Sequence, residues 1–319
     1  MSERLATDLC GIALRAPVLA ASGTFAYGLE FADIVDLNSI GGFVVKGLSR
    51  EPMPGNPPPR LWEAHGGMMN SVGLQNVGVR AFVRDKLPEL RRYRTAVFAN
   101  VFGYTPEDYV EVVRVLEDAE GLSGYELNVS CPNTKHGGMV FSSDPCLLGE
   151  VVGLVRKAAR RPVIVKLSPN VDRIEPLAQT ARDAGADAIS LINTFVALAI
   201  DARTRRARLG AGFGGLSGPA IKPIALRMVY EACQAVSIPV IGIGGISTGV
   251  DAAEFMIAGA TAVEVGTANF WDPAAVARIT RELDEFLKRE NVERAGQLRG
   301  TLRLGSAGCS PALRQKETE

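Results

Sequence analysis

The sequence lacks a charge excess, a long apolar run and a secretory signal. Its 319 residues include 35 basic and 35 acidic side chains, and this balance predicts neither a nucleic-acid nor a membrane partner. No stretch approaches the roughly 20 consecutive apolar residues that a membrane span requires. The first 23 residues also lack the uninterrupted apolar core of a secretory signal. The expected location is therefore cytoplasmic.

Histidine and paired cysteine are also scarce. The only histidines are His65 and His136, and the five cysteines are scattered without a C-x-x-C pair. This pattern argues against a disulfide framework, a zinc site or an iron–sulfur cluster carried by this chain alone. We therefore predict no metal site, and any iron–sulfur chemistry would require another chain.

Eight short apolar runs rich in Val, Ile and Ala recur along the chain. They lack regular polar alternation, as expected for parallel strands covered on both faces. Helical patterns begin near residues 106, 146, 173, 219 and 251, and one more follows the last run. This order predicts one α/β domain over residues 1–319, a (β/α)8 TIM barrel with elaborated βα loops at its C-terminal face. The runs cover residues 17–23, 41–47, 95–101, 125–130, 162–168, 188–194, 239–245 and 262–268.

Three predicted βα connections are long: residues 48–94, 131–145 and 195–218. All three open on the C-terminal face, where barrels carry their active sites. EPMPGNPPPR in the first connection predicts ordered irregular chain, and DARTRRARLG in the third predicts a solvated loop. GAGFGG has the spacing of a dinucleotide motif but follows a charge run rather than a strand, so it carries little weight.

Polar side chains collect at the predicted strand ends. Burying amide and ammonium groups is costly unless they are paired, so their convergence predicts a ligand rich in donors and acceptors. Asparagines beside lysines suit a planar, uncharged amide or imide ring with a nearby negative charge. The shortage of Asp and Glu at these ends argues against a glycosidase. The strand-end residues are Ser22, Lys46, Asn100, Asn128, Ser130, Lys166, Ser168, Asn193 and Thr194.

Glycines cluster at the ends of the last two predicted strands. GIGGIS at 242–247 and VGTANF at 265–270 would let backbone N–H groups approach a ligand, and barrels commonly bind phosphate there. The alternative is that these glycines serve tight turns only.

Cys131 directly follows the fourth predicted strand and precedes Pro132. Two chemical roles are open at this stage. With His136 in the same loop, it could be the nucleophile of an acyl-transfer enzyme. Under a closing loop it could instead be a general base toward a carbon acid. The other four cysteines are interpreted as small apolar residues.

Several motifs resemble the dihydroorotate dehydrogenases, flavoenzymes of pyrimidine synthesis. SGTF, GNPPPR and LQN are most similar to the catalytic subunit of the NAD-linked type, class 1B. A cysteine where the membrane-bound type has a serine base, and the short start of the chain, point away from that type. The motifs are ELNVSCPNTKHGG at 126–138, NSVGLQN at 70–76, VKLSPNV at 165–171, INT at 192–194, GGLSGPAIKP at 214–223 and VGTANFWDP at 265–273.

The resemblance implies oxidation of (S)-dihydroorotate to orotate, with Cys131 as the base and FMN as hydride acceptor. It also implies a homodimer, and a partner subunit whose FAD and 2Fe-2S cluster pass electrons to NAD. The implied FMN-binding residues are Ser22, Lys46, Gly47, Asn100, Asn128, Lys166, Ile192, Gly218, Gly244, Gly245, Gly266 and Thr267. The implied substrate-binding residues are Lys46, Asn70, Ser71, Val72, Gly73, Leu74, Asn128, Asn193 and Thr194.

Three alternatives stay open. One is a class 1A, fumarate-linked enzyme without a partner, and another is an FMN barrel similar to the dihydropyrimidine dehydrogenases. Lys46 bears on the second, because a cation suits a carboxylate that uracil lacks. The third is a structural or electron-relay flavin barrel, against which Cys131 speaks. The resemblance assigns no role to His136 or to the tail at 304–319.

Overall fold

The computed structural model describes residues 2–129, 141 and 144–305, and eight of its strands close into a parallel barrel. Neighbours pair in chain order, and the last strand returns to the first, with Val263 opposite Val18. The predicted (β/α)8 class is confirmed. The strands are β1 Val18–Ala20, β2 Gly42–Val44, β3 Ala96–Val101, β4 Gly124–Asn128, β5 Val163–Lys166, β6 Ala188–Leu191, β7 Val240–Ile243 and β8 Ala262–Val265. Ser130, Cys131, His136 and the tail from residue 306 lie outside the described residues.

Among the described residues, six helices of nine residues or more follow β3 to β8, in agreement with the sequence patterns. Thr105 and Thr248 each begin a helix in a capping box with the aspartate three residues on, which satisfies two N–H groups of the first turn. The helices are α1 Pro106–Glu117, α2 Pro145–Ala158, α3 Glu175–Asp183, α4 Lys222–Ala235, α5 Gly249–Ala258 and α6 Ala275–Arg289.

Shorter helices, which the sequence patterns did not predict, fill the connections. Val79–Ala81, a π-helical turn Phe82–Lys86 and Leu87–Leu90 follow one another after β2. A single turn, Ala268–Trp271, follows β8. In the part of the chain that the structure describes, 3₁₀ segments span Glu3–Leu5, Leu29–Phe31, Leu37–Ser39, Pro219–Ile221 and Ala295–Leu298.

An N-terminal hairpin closes the barrel at its N-terminal end. Its strands, Thr7–Leu9 and Ile12–Leu14, place Leu9 and Leu14 in one buried cluster with residues of the barrel interior. The interior members are Leu19, Val44, Phe98, Ile164, Ala188, Ile241 and Ala262. Because this end is filled with apolar side chains, a ligand cleft must lie at the opposite, C-terminal end.

A four-stranded antiparallel sheet, which the sequence analysis did not predict, is built from two of the long connections. In spatial order its strands are Phe195–Leu198, Phe213–Ser217, Gly67–Asn70 and Leu61–Ala64. Asn70 pairs with Gly215, so the first connection is fixed against the third. The charge run is exposed, as predicted, and it contains a small hairpin of Ile200–Asp201 and Arg206–Ala207.

Candidate functional site

One cleft at the C-terminal ends of the barrel strands brings the predicted site residues together. It encloses about 1220 Å³ of empty space including its open mouth. All twelve predicted cofactor residues line it, as do all the predicted substrate residues except Ser71. The predicted cofactor and substrate residues therefore share one opening at this end of the barrel.

Two predicted serines, Ser71 of the substrate set and Ser168 of the strand-end set, do not line the cleft. Ser71 is fully buried and its Oγ accepts a hydrogen bond of 2.9 Å from Asn56 Nδ2. Ser168 is also buried, and its Oγ accepts hydrogen bonds from the backbone N and the Nδ2 of Asn170, each at 3.1 Å. Neither side chain lines the cleft, because each is engaged by a neighbouring asparagine.

Lys166 lies at the bottom of the cleft within a buried polar layer. Its Nζ is 3.3 Å from Glu126 Oε1 and 3.6 Å from Glu264 Oε2. Burial opposes its charge, but the two carboxyls outweigh that effect, and the pKa of Lys166 lies above its ordinary value. Among described residues no carboxylate lines the cleft, in line with the prediction, yet the two glutamates directly below it were missed.

Strand alternation explains the polar layer. Successive side chains of a strand point to opposite faces, so residues two apart share a face. Each polar-layer residue on β3, β5, β6 and β8 lies two positions after an apolar residue of the cluster that closes the barrel. The layer comprises Asn100, Glu126, Lys166, Ser190 and Glu264, all with little or no exposure. The inward face of these strands thus changes from apolar to polar just below the cleft.

Lys46 presents a second cation to the cleft. Burial, and then the positive charge of Arg60, lower the pKa of Lys46 below its ordinary value. No carboxylate within the described ranges lies at ion-pair distance from its Nζ. An anionic ligand group would relieve both the desolvation and the repulsion.

The loop at residues 70–74 is held by the proline-rich segment that precedes it. The backbone N of Asn56 donates to Val72 O at 3.0 Å, and Ser71 N donates to Arg60 O at 2.8 Å. A Cβ at Gly73, whose φ is +74°, would lie 2.5 Å from Asn56. Sequence reasoning missed Asn56 and Arg60 as supports, although GNPPPR was singled out.

The amide groups of the site contact one another. Asn193 Nδ2 donates to Asn128 Oδ1 at 3.4 Å, and Asn193 Oδ1 accepts from Thr194 N at 2.8 Å. Asn170, another residue that sequence reasoning missed, holds the same segment by donating to Thr194 O at 3.0 Å and accepting from Val196 N at 2.9 Å. These amides offer both donors and acceptors to a planar ring.

The other end of the cleft is lined by glycine backbone. Gly218, Gly244 and Gly245 have φ values of +99°, +132° and +76°, a region that side chains rarely adopt. A Cβ at Gly245 would lie 2.8 Å from Gly218 O, and Thr267 Oγ1 donates to Ser217 Oγ at 2.8 Å. Unscreened backbone and hydroxyl groups at the ends of β7 and β8 fit the phosphate of a mononucleotide.

Two other features are absent from the described part of the chain, a metal-binding cluster and a membrane-spanning helix. No group of three or more His, Cys, Asp and Glu side chains is arranged to hold a metal ion. None of its helices combines the length and apolar character needed to cross a bilayer.

Comparison with known proteins gives consistent matches. The family model described as dihydroorotate dehydrogenase matches residues 4–287. A protein of Solibacter usitatus named putative dihydroorotate dehydrogenase A (fumarate) is 71% identical over 304 residues, covering 95% of this chain and all of that protein. The dihydroorotate dehydrogenase B (NAD(+)) catalytic subunit of Geobacter sp. strain M21 is 54% identical, covering 94% and 98%. That of Pelobacter propionicus is 52% identical, covering 95% and 99%.

A solved structure supports the fold. The crystal structure of DHODH from Eimeria tenella in complex with ferulenol superposes with a TM-score of 0.81 at 21% identity. The match covers 93% of this chain and 88% of that one. At this identity the likeness concerns the barrel architecture.

Proposed function

The chain belongs to the dihydroorotate dehydrogenase family, as its motifs predicted, and we propose that it oxidises (S)-dihydroorotate to orotate in de novo pyrimidine synthesis. The observation that carries the proposal is the cleft itself. It joins amides that can hydrogen-bond to a pyrimidine, a cation that has no carboxylate partner among the described residues, and a glycine-lined end for a phosphate.

FMN is the proposed cofactor, and it would supply the acceptor for a hydride from C6 of the substrate. The glycines at the ends of β7 and β8, with Thr267, would hold its phosphate. Lys166 would place its positive charge beside the pyrimidine part of the ring, where it stabilises the negative charge that reduction creates. The buried glutamates keep this ammonium charged and in place.

The chain's own residues would orient the substrate and take its second hydrogen. Lys46 would bind the carboxylate, while Asn128, Asn193 and the loop at 70–74 would hold the ring. Cys131, three residues beyond Asn128 in sequence, would accept the proton from C5 on its thiolate. Loss of the proton from C5 and of the hydride from C6 breaks two C–H bonds and forms one C5–C6 double bond.

Reduction of the bound flavin tests the proposal. We expect the purified protein to carry FMN. Under anaerobic conditions, dihydroorotate should reduce this flavin, whereas dihydrouracil, which lacks the carboxylate, should not. A protein that neither contains nor can be reconstituted with FMN would refute the cofactor assignment. Equal reduction by both compounds would refute the substrate assignment.

The Lys46→Met variant tests the carboxylate contact. A hydrogen bond to a charged group contributes about 1.5–3 kcal/mol, so kcat/KM for dihydroorotate should fall about 10- to 150-fold. In the wild type, KM for dihydroorotate should rise as the pH increases through the pKa of Lys46, which lies below its ordinary value. The neutral amine that forms there binds an anion less well. The variant should lack this rise. Lys157→Met, at an exposed lysine of α2, should behave like the wild type.

For the electron acceptor we propose NAD, reached through a partner subunit that carries FAD and a 2Fe-2S cluster. Relatives at 51–54% identity named as NAD(+)-linked catalytic subunits support this assignment. Phe270 lines the cleft and is 43% exposed, and the adjacent Trp271 is 46% exposed, so apolar surface for a partner lies beside the site. A homodimer and a cytoplasmic location belong to the same proposal.

Fumarate is the second candidate acceptor, because the Solibacter usitatus relative at 71% identity is named for it. The two candidate acceptors can be distinguished by reducing the bound flavin with dihydroorotate and then adding fumarate alone. Reoxidation of the flavin within one turnover time would favour fumarate. Reoxidation by NAD only after addition of a copurifying flavin and iron–sulfur subunit would favour the NAD-linked assignment.

A further inference from the structure

The polar layer contains two buried carboxyl groups but one ammonium group. Glu126 and Glu264 are at most 1% exposed, and both lie at ion-pair distance from Lys166. Apart from these three residues, Tyr125 of β4 is the one ionisable side chain within the described spans of the barrel strands, and its hydroxyl accepts a hydrogen bond from Arg161. If both glutamates were ionised, this layer would carry a net negative charge in a buried setting, which is costly.

The two glutamates have different surroundings. Glu126 accepts hydrogen bonds from Asn100 Nδ2 at 2.7 Å and from Ser190 Oγ at 2.8 Å, in addition to its contact with Lys166. Neither oxygen of Glu264 accepts a hydrogen bond from a described residue. An anion is stabilised by donors, so Glu126 is the better site for the charge and Glu264 the better site for a proton.

The electrostatics agree with this division. Burial, followed by the negative charge of Glu126, raises the pKa of Glu264 well above its ordinary value, and Lys166 only partly opposes the rise. The strands on either side of β8, which are β7 and β1, bring no charged group against it. Glu126 and Lys166 are therefore the charged groups that face Glu264.

We propose that Glu264 is a positioning residue that holds a proton at neutral pH, so that the layer below the cleft stays uncharged and Lys166 keeps its place under the ligand. The proposal rests on the proposed function, because its consequence concerns bound FMN. Ionised Glu264 would oppose the negative charge that reduction creates above Lys166. In the pH range where Glu264 is partly ionised, reduction should thus take up as much as one additional proton from water onto this carboxyl group.

Stability as a function of pH tests the proton without involving FMN. An unfolded glutamate ionises near pH 4.3, whereas folded Glu264 would stay neutral to higher pH, so its contribution to stability is lost as pH rises between these values. Glutamine cannot ionise. We expect the unfolding equilibrium constant of Glu264→Gln to fall relative to wild type by up to tenfold per pH unit above about pH 4.5.

The control for this measurement is Glu89→Gln, at an exposed position of Leu87–Leu90. Its difference from wild type should be nearly independent of pH. If the difference between Glu264→Gln and wild type is equally flat, Glu264 does not hold a proton in the folded protein, and the proposal is overturned.

The midpoint potential of bound FMN, measured against pH, tests the link to the cofactor. In wild type, the number of protons taken up per two electrons transferred to FMN should increase by up to one. This increase should occur in the pH range where Glu264 is partly ionised. This increase should be absent in Glu264→Gln. Proton release or uptake recorded with a pH indicator during reduction of wild type provides the same number without a variant.

The two experiments separate the failure of this proposal from failure of the proposed function. Identical pH dependence of the potential in both proteins would overturn the link between Glu264 and the flavin. A protein that binds no FMN would overturn the proposed function, while the stability measurement would still decide whether Glu264 is protonated.

Discussion

Replacing Cys131 with alanine is expected to lower kcat for dihydroorotate by about 10²–10⁴-fold while FMN stays bound, because general base catalysis contributes about that much. Under the proposed function, alanine removes the group that takes the C5 proton, and none of the described residues that line the cleft is changed. Anaerobic stopped-flow reduction of the bound flavin measures the step directly. Cys131→Ser should restore part of the rate at high pH only, because a serine hydroxyl has a higher pKa than a thiol and loses its proton only there.

The matched control is Cys146→Ala. This cysteine is exposed in the first turn of α2 and should be dispensable for the reaction. If Cys131→Ala kept most of its activity, Cys131 could not be the base. If it lost FMN instead of rate, the residue would have a structural role at the cofactor site.

Replacing Lys166 with methionine is expected to reduce the free energy of unfolding by about 3–5 kcal/mol, the usual cost of removing one partner of a buried ion pair. The loss arises because Glu126 would keep its charge without its cation. FMN affinity should fall as well, since the positive charge at the bottom of the cleft disappears. Urea unfolding and flavin titration measure the two effects.

A double variant checks the cause of that destabilisation. Lys166→Met combined with Glu126→Gln leaves no uncompensated charge in the polar layer and should recover a large part of the lost stability. FMN affinity should remain low in the double variant. Lys157→Met serves as the exposed control. A double variant as unstable as Lys166→Met alone would show that packing, rather than charge, causes the loss.

The barrel strands could be predicted because they are local signals. Each is a short apolar run, the first six end in polar residues and the last two in glycine motifs, and all but the first are followed by helical periodicity or a long connection. The four-stranded sheet has no such signal. Gly67–Asn70 must pair with Phe213–Ser217, far away in sequence, and the two glycines Gly214 and Gly215 resemble loop residues when read locally.

The cleft residues could be predicted because a parallel barrel places the C-terminal ends of its strands around one opening. That rule located Lys46, Asn100 and Lys166 without any contact information. It could not locate Glu264, which precedes the end of its strand and was read as part of an apolar run. Interior charge becomes visible only when the inward faces of different strands are brought together.

The residues that hold the cleft-lining segments in place are determined by tertiary contacts and could not be predicted from the sequence pattern. Asn56 and Asn170 do not line the cleft, yet they fix the two segments that carry predicted substrate residues. Their partners are distant in sequence or are backbone atoms, which leave no signature in the order of residues. Cys131 was predicted from its position after β4, and its role stays a prediction.

The hairpin that closes the N-terminal end of the barrel also affects the kinetics of proton exchange. Leu9 and Leu14 fill that end with apolar side chains, so they separate the polar layer from bulk water on that side. Exchange between the layer and solvent then depends on the C-terminal opening, which a bound mononucleotide would cover. A ligand bound in the cleft would therefore slow proton exchange between the polar layer and solvent. This kinetic effect would be separate from any effect of the ligand on which protonation state of the layer is favoured.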